Sequence, residues 1–555
     1  MTSPHPAGFA VDVDQAVKIV RSGGDRKILD GVTLQIDPGE YVGVLGASGS
    51  GKSTLVKALA GLSDLTRGGI WLDGKLCTAG GLRRDRRIAY LPQDIIVHEP
   101  LTATVALGYA AALKGLPSGE LGRDLVSTAL ARVGIADRAH VPIRRLSGGQ
   151  RKRVGLAVEL LGDPRLILLD EATSGLDPGT DAEMMELFRS LADEGRTIFC
   201  VTHSPSKLHL CDRLVCLREG ICTFQGKPAD ARAFFGVTEI EEIYGRLASG
   251  TAGEWRKRFE AAFPGRSGRL SPATRPAAAL TPSTLRVGFG EQTALLSGRY
   301  ARLQLADWRA LGLQLVQAPI IGAMIAFSFG SIRSSFAEQA AADTKLVLFV
   351  VTLAVMWCSG TSSAREVVKE LPILRHESRF GLRTAAYLVS KLIWLGGWAV
   401  VQSAVLLLVV RRTTELAGPF DLQFALLAIT SLVGVALGLC ISSLAGSSER
   451  AMTILPVALI GLAVFSGGLA RLVGPPLWVA WIGSPAYWTL DGLKSPLPSS
   501  FKNATYPGAP GTFQPPILGS GGPLALDALA LLLQGAVLLA VGYAFLRYAL
   551  GRSDR

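Results

Sequence analysis

Eight residues in a row, Gly46-Ala47-Ser48-Gly49-Ser50-Gly51-Lys52-Ser53, fit the spacing GxxxxGK[ST], and Thr54 follows them. A polyphosphate packs several negative charges together and needs many donors at once. Glycines let backbone N–H groups converge on such a group, and a helix opening at its edge adds the positive end of its dipole. Lys52 would reach the outer two phosphates, and Ser53 would ligate a divalent cation, Mg²⁺. Leu166-Ile167-Leu168-Leu169 ends in a second chemical group, Asp170-Glu171. Alone it reads as a buried strand with an acidic turn. Beside a phosphate loop, Asp170 would hold Mg²⁺ through its water shell and Glu171 would polarise an attacking water.

Elements must position these groups. Tyr41–Leu45 (YVGVL) reads as a strand before the glycine loop, and 53–62 (STLVKALAGL) as a helix after it. GVTLQIDPGEYVGVLG reads as strand, Asp-Pro-Gly turn, strand. Further strand-like runs are 166–169 and 196–201 (RTIFCV), with helical patterns between. Strands separated by helical stretches predict a mainly parallel α/β sheet.

The chain has 555 residues, too many for one soluble core. Charged residues make up only 18% of it, against about 25% in ordinary soluble domains. The charges thin out after about residue 310, so that half is expected to dissolve in lipid. The net charge of +12 could suit nucleic acid. No Lys/Arg stripe with interleaved aromatics supports that, so no nucleic-acid partner is expected. The seven cysteines form no CxxC pair, and those near His209 fit no usual zinc spacing. The first fifteen residues lack the apolar core of a signal peptide.

Residues 262–289 have the Pro, Ala, Ser and Gly composition of a linker. Residues 292–310 predict a basic amphipathic helix whose polar face carries Arg299, Arg302 and Arg309. Six apolar segments follow, near 311–330, 346–361, 386–410, 423–445, 451–470 and 522–546. A span needs about 20 residues, so the second is short. Lys391 interrupts the third and is expected to snorkel toward the inner headgroups. Arg365, Lys369, Arg375, Arg379 and Arg383 follow the second segment and belong on the inner side. Arg411 and Arg412 run against that rule. Gly434 and Gly438 in the fourth segment fit GxxxG, a close-packing pattern within a bundle or at a dimer seam. The outer stretch, about 471–521, is rich in Pro and Gly and carries Trp478, Trp481, Tyr487 and Trp488. His376 is expected in a solvated loop.

A resemblance then becomes specific. Leu146-Ser147-Gly148-Gly149-Gln150 resembles the signature sequence of ATP-binding cassette proteins. Gln93 in AYLPQD resembles their Q-loop, Ser174-Gly175-Leu176-Asp177 their D-loop, and His203 in VTHS their switch histidine, all in the family's order. Cassette first and membrane domain second resembles the G subfamily of half-transporters and its bacterial relatives. So do 369–391, with Glu377 and Arg379, as a coupling segment, and 481–494 as an outer loop. The implied fold is an α/β P-loop NTPase cassette, a RecA-like core with a helical subdomain, followed by an all-α polytopic membrane domain. The implied boundaries are 1–260 for the cassette, 261–290 for a linker, 291–310 for a connecting helix and 311–555 for six membrane helices.

The resemblance implies that two cassettes dimerise head to tail around ATP, through a second copy or a related half-transporter. Gly46 to Thr54 would cradle the phosphates. Ser147, Gly148, Gly149, Gln150 and Asp177 would complete the site from across the dimer. Gln93 would sense Mg²⁺ and the lytic water, and Glu171 and His203 would be catalytic. The expected setting is a bacterial inner membrane, with lipid around the spans and the cassette on the cytoplasmic side. The expected task is export of a lipidic or amphipathic cargo of unknown identity. The alternative is an ATPase that drives an outer partner without moving a substrate. Two departures stand out. VKIVRSGGDRK lacks the usual adenine-stacking aromatic, leaving Phe9 as a candidate, and Ala172 stands where relatives carry Pro.

Lys52→Ala is expected to weaken ATP binding by at least about tenfold, because a hydrogen bond to a charged group contributes about 1.5–3 kcal/mol. Equilibrium binding of labelled ATP measures it. Undiminished affinity would remove Lys52 from the phosphate site.

Overall fold

In the computed structural model the described residues are 8–21, 24–202, 207–264, 287–330, 332, 337–470, 472–497 and 524–551. The chain divides into two units. The first is Met1–Val287 with His376–Gly381 and Arg552–Arg555; the second is Gly288–Arg375 with Leu382–Gly551.

Two sheets build the first unit. Strands β1 (Val11–Arg21), β2 (Asp25–Ile36), β4 (Arg67–Leu72) and β5 (Lys75–Cys77) form an antiparallel sheet in the order β2-β1-β4-β5. The other six are β3 (Tyr41–Leu45), β6 (Ile88–Leu91), β7 (Leu166–Asp170), β8 (Thr197–Val201), β9 (Arg213–Arg218) and β10 (Ile221–Gly226). Their order is β10-β9-β3-β8-β7-β6, parallel except for the hairpin β9–β10. Strands β3, β7 and β8 are buried at every residue. A parallel sheet covered on both faces demands such continuous apolar runs. The α/β sheet therefore matches expectation, whereas the separate antiparallel sheet was not foreseen. Helices Ala103–Leu113, Gly119–Arg132 and Gly148–Leu160 pack on one another beside the sheet.

The second unit is helical. Among the described residues five helices are long and apolar enough to cross a membrane. Four are Trp308–Phe329, Thr384–Thr414, Phe420–Leu444 and Leu524–Gly551. The fifth contains the segment that looked short; it extends over Ala337–Ser363. The expected fifth segment forms Ser448–Val464, a helix of 17 residues with Pro456 inside it. The outer stretch is more ordered than its composition suggests: Pro475–Gly483 and Pro485–Lys494 are helices, each opened by proline. Residues 498–523 of that stretch, like most of the expected linker, lie outside the described residues.

Gly434 and Gly438 pack inside this chain. A Cβ on either would lie 2.0 Å from the hydroxyl of Ser359 or Ser363, so these glycines let Phe420–Leu444 meet Ala337–Ser363 closely. The basic helix runs Phe289–Ala306, and Asp307 caps the next helix at Ala310 N–H, 3.4 Å away. Arg302 and Arg309 are exposed, but Arg299 is buried, which corrects the expected polar face. Arg411 donates to Gly418 O and Gln423 Oε1, both at 2.7 Å. The loop thus accepts a charge that runs against the topology rule.

Lys391 overturns the snorkelling expectation. It is 1% exposed, with Nζ 2.8 Å from Glu370 Oε1 and 3.6 Å from Glu366 Oε2. The ammonium sits 3.5 Å from the centroid of the Tyr300 ring, and Tyr387 donates to Glu370 Oε2 at 2.8 Å. A buried cation ringed by carboxylates and aromatic faces has no reason to seek water.

Lys391→Met would remove the ammonium that lies 2.8 Å from Glu370, while Glu366 keeps Lys369 Nζ at 2.5 Å. Removing one partner of a buried pair costs about 3–5 kcal/mol, so the thermal unfolding midpoint in detergent should fall clearly. An unchanged midpoint would mean that the Lys391 ammonium is not what holds the Glu370 carboxylate in place.

Candidate functional site

Strand β3 delivers the chain into the glycine loop, and two glycines there are sterically required. Gly46 has φ +151° and Gly51 has φ +100°. A Cβ would meet Leu217 O at 2.2 Å from Gly46, and Ile28 O at 2.7 Å from Gly51. The helix Lys52–Leu59 starts at the end of this loop. Ala47, Ser48 and Gly49 are exposed, while Ser50 is buried and Ser53 and Thr54 are half-buried. Lys52 is only 4% exposed, and its Nζ donates to Gly46 O at 2.7 Å and Ala47 O at 3.0 Å. Burial lowers its pKa, opposed by Glu171 and Asp170. The ammonium is therefore folded over the loop, where it can exchange two neutral carbonyls for an anion.

Strand β7 brings the carboxylates to the same edge. Only β8 separates β7 from β3, so Asp170 and the glycine loop leave the C-terminal edge of the sheet one strand apart. Ligands bind at such ends in open α/β sheets. Asp170 is 5% exposed. Its Oδ2 accepts from the Tyr90 hydroxyl at 3.3 Å, and its Oδ1 has no partner among the described residues. Burial raises its pKa, against the pull of Ser53, Lys57 and Tyr90. An orphaned buried carboxylate oxygen near Ser53 fits a bound divalent cation. Glu171 takes φ +53°, a left-handed conformation unusual outside glycine, and its N–H donates to Val201 O at 3.2 Å.

The remaining expected residues fall into two groups. Gln93 is exposed two residues beyond the end of β6, and β6 neighbours β7. Ser147, Gly148, Gly149 and Gln150 open the helix Gly148–Leu160. Ser147 and Gln150 form a reciprocal cap, each bond at 3.2 Å. Gly149 is buried, and a Cβ there would lie 2.4 Å from Thr180 Cγ2. Asp177 is exposed and caps Pro178–Asp193 by accepting from Thr180 N–H at 3.0 Å, which lowers its pKa. Among the described residues, Ser147 and Asp177 share no hydrogen bond with the glycine loop of their own chain. His203 lies outside the described residues.

Phe9 does not supply an adenine platform. It is fully buried, with Arg165 4.2 Å and Arg87 5.0 Å from its ring centroid. His376 is 9% exposed rather than solvated, with Nε2 2.8 Å from Glu159 Oε1 within the first unit. Three residues near the site escaped sequence reasoning: Tyr90, Glu159 and Lys152. Lys152 Nζ donates to Ser174 O, fixing the turn that follows Glu171. Tyr90 and Asp170 are 80 positions apart, and no local pattern announces such a contact.

With this geometry in hand, comparison with known proteins is informative. The family described as ABC transporter matches residues 29–174, and the family described as ABC-2 type transporter matches residues 291–497. The chain is 33% identical to the ABC transporter ATP-binding/permease protein Rv1747 of Mycobacterium tuberculosis, over 84% of this chain and 55% of that protein. It thus spans little more than half of that relative. It is 32% identical to the methionine import ATP-binding protein MetN of Caulobacter vibrioides, over 58% of this chain and 96% of that one. It is 38% identical to ABC transporter G family member 25 of Arabidopsis thaliana, over 39% of this chain and 34% of that one.

Phe9→Ala should destabilise the first unit by about 3–5 kcal/mol, the usual loss for a buried Phe, while the folded protein binds ATP with unchanged affinity. Calorimetric unfolding and equilibrium nucleotide binding separate the two effects. Weakened ATP binding at full stability would restore Phe9 to the nucleotide.

Proposed function

This chain belongs to the ABC transporter family, an ATPase cassette joined to an ABC-2-type membrane domain, and from that premise we propose that it is a half-transporter whose paired cassettes use ATP to export a lipidic or amphipathic molecule. The partner is a second copy or a related half-transporter. The observation that carries the reading is that Lys52 follows β3, and Asp170 and Glu171 follow β7, at the same edge of one sheet with only β8 between them, close enough for both carboxylates to act on the Lys52 charge.

In this reading 1–260 is the cassette, 261–290 a linker, 291–310 the connecting helix and 311–555 a membrane domain of six helices. Gly46, Ala47, Ser48, Gly49, Ser50, Gly51 and Thr54 line the phosphates with backbone and hydroxyl donors. Lys52 leaves its two carbonyls for the outer phosphates, which answer its charge better. Ser53, Asp170 and Gln93 would hold Mg²⁺. When bound, Mg²⁺ supplies neutralising charge to the phosphate oxygens. Glu171 orients the attacking water and accepts its proton, and His203 contacts the terminal phosphate. Ser147, Gly148, Gly149, Gln150 and Asp177 serve the partner's nucleotide. The exposure of Ser147, Gly148 and Asp177, and the absence among the described residues of a hydrogen bond from Ser147 or Asp177 to the glycine loop, support that division.

The cargo class rests on the apolar character of the helices. Lys391, Glu366 and Glu370 answer one another inside the bundle and so offer no free charge to an ionic cargo. The cassette lies on the cytoplasmic side of a bacterial inner membrane, with the basic loop 365–383 inside.

Glu171→Gln keeps size and hydrogen bonding but removes the proton acceptor. Turnover should fall by about 100-fold or more, the usual share of a general base, with ATP still bound. Phosphate release and ATP binding on the same preparation decide it; normal turnover would move the base elsewhere.

A further inference from the structure

Tyr90 touches the site at one end of its residue and something quite different at the other. Its hydroxyl donates to Asp170 Oδ2 at 3.3 Å, and its backbone N–H donates to Glu159 Oε2 at 3.0 Å. The geometry has a simple origin. Strand β6 is the edge of its sheet, paired only with β7. The N–H groups of an edge strand need another acceptor. Here one acceptor is a carboxylate from the far end of the signature helix Gly148–Leu160.

Glu159 is 3% exposed, and a carboxylate that deep must be answered by cations. His376 Nε2 lies 2.8 Å from its Oε1. Lys114, 4% exposed, donates to Val158 O at 2.6 Å beside it. Burial pushes the Glu159 pKa up, but His376, Lys114 and Arg379 outweigh that and hold it at about 2. Glu159 is thus an anion throughout the working range, an anchor and not an acid. Arg379 completes the cluster. It donates to Ile88 O at 3.5 Å, and its guanidinium lies 5.4 Å from the Tyr90 ring centroid. Its Nε and one terminal nitrogen are buried with no acceptor among the described residues. A half-satisfied buried guanidinium can re-pair when its segment shifts.

We propose that Tyr90 and Glu159 are positioning residues that carry the state of the Asp170 carboxylate to the segment His376–Gly381, by a route that does not pass through Gln93. The route is contiguous: Asp170 to the Tyr90 hydroxyl, Tyr90 N–H to Glu159, and Glu159 to His376. Every member is 9% exposed or less. A turn of the Asp170 carboxylate pulls or frees the Tyr90 hydroxyl, and a shift of Tyr90 that reaches its backbone changes the hydrogen bond from its N–H to Glu159. Because this rests on the ATPase reading of the site, the test must separate the two.

Hydrogen exchange on the full chain in lipid nanodiscs does so. In Glu171→Gln, adding Mg²⁺-ATP should change exchange in peptides covering 371–383. Adding Tyr90→Phe, which removes one hydroxyl, should abolish that change while labelled ATP still binds. Glu159→Gln, which can still accept from Tyr90 N–H but loses its charge, should shrink it. Unfolding midpoints near that of Glu171→Gln alone show that the variants fold. A full ATP-dependent change in both variants overturns the route. Failure of Glu171→Gln itself to bind ATP overturns the ATPase reading, and the route with it.

Discussion

A charge withdrawn from water must be answered by another charge or by converging dipoles, and this requirement organises both units. Lys52 is answered by the carbonyls of Gly46 and Ala47. Glu159 is answered by His376, Lys114 and Arg379. Lys391 is answered by Glu366 and Glu370. Asp170 is answered only in part, since one oxygen lacks a partner among the described residues. Asp170 and Lys52 sit where a ligand is expected, whereas the Glu159 and Lys391 clusters tie distant elements together.

The same requirement separates the roles of the units. Neutral carbonyls are weak partners for an ammonium, so Lys52 gains by exchanging them for phosphate oxygens. The buried pairs of the second unit have no better alternative and act as fixed joints. Around those joints the helices present apolar surface, as with Phe327, Leu313 and Ile482, which are largely exposed in a single chain. Surface of that kind suits lipid or a partner helix, and it leaves the chemistry to the cassette.

Legibility in the sequence tracked the distance between interacting residues. The glycine loop, the Asp170-Glu171 pair and the Ser147 cap each lie within a few positions, so their spacing carries their geometry. The sheet was readable because β3, β7 and β8 are continuous apolar runs. Contacts across the chain were not readable. Nothing local says that Tyr90 meets Asp170, that Glu159 draws His376 out of solvent, or that Arg299 turns inward. Lys391 misled because a lone lysine in an apolar run looks like a snorkelling residue, and its carboxylates lie 21 and 25 positions earlier. Phe9 misled for a similar reason: its burial between Arg87 and Arg165 depends on distant strands. The expected fifth span came out shorter because the chain turns after Val464, which ends that helix at 17 residues.

We propose that ATP at the Asp170–Glu171 site drives a lipidic or amphipathic molecule out of the membrane domain. The most direct test is a differential mass-spectrometric inventory of molecules bound to purified Glu171→Gln. One sample is kept nucleotide-free and the other trapped with Mg²⁺-ATP. The account expects a lipidic or amphipathic molecule enriched in the first and depleted in the second. The same bound molecules at the same levels in both would contradict it and favour an ATPase that works on an outer partner instead.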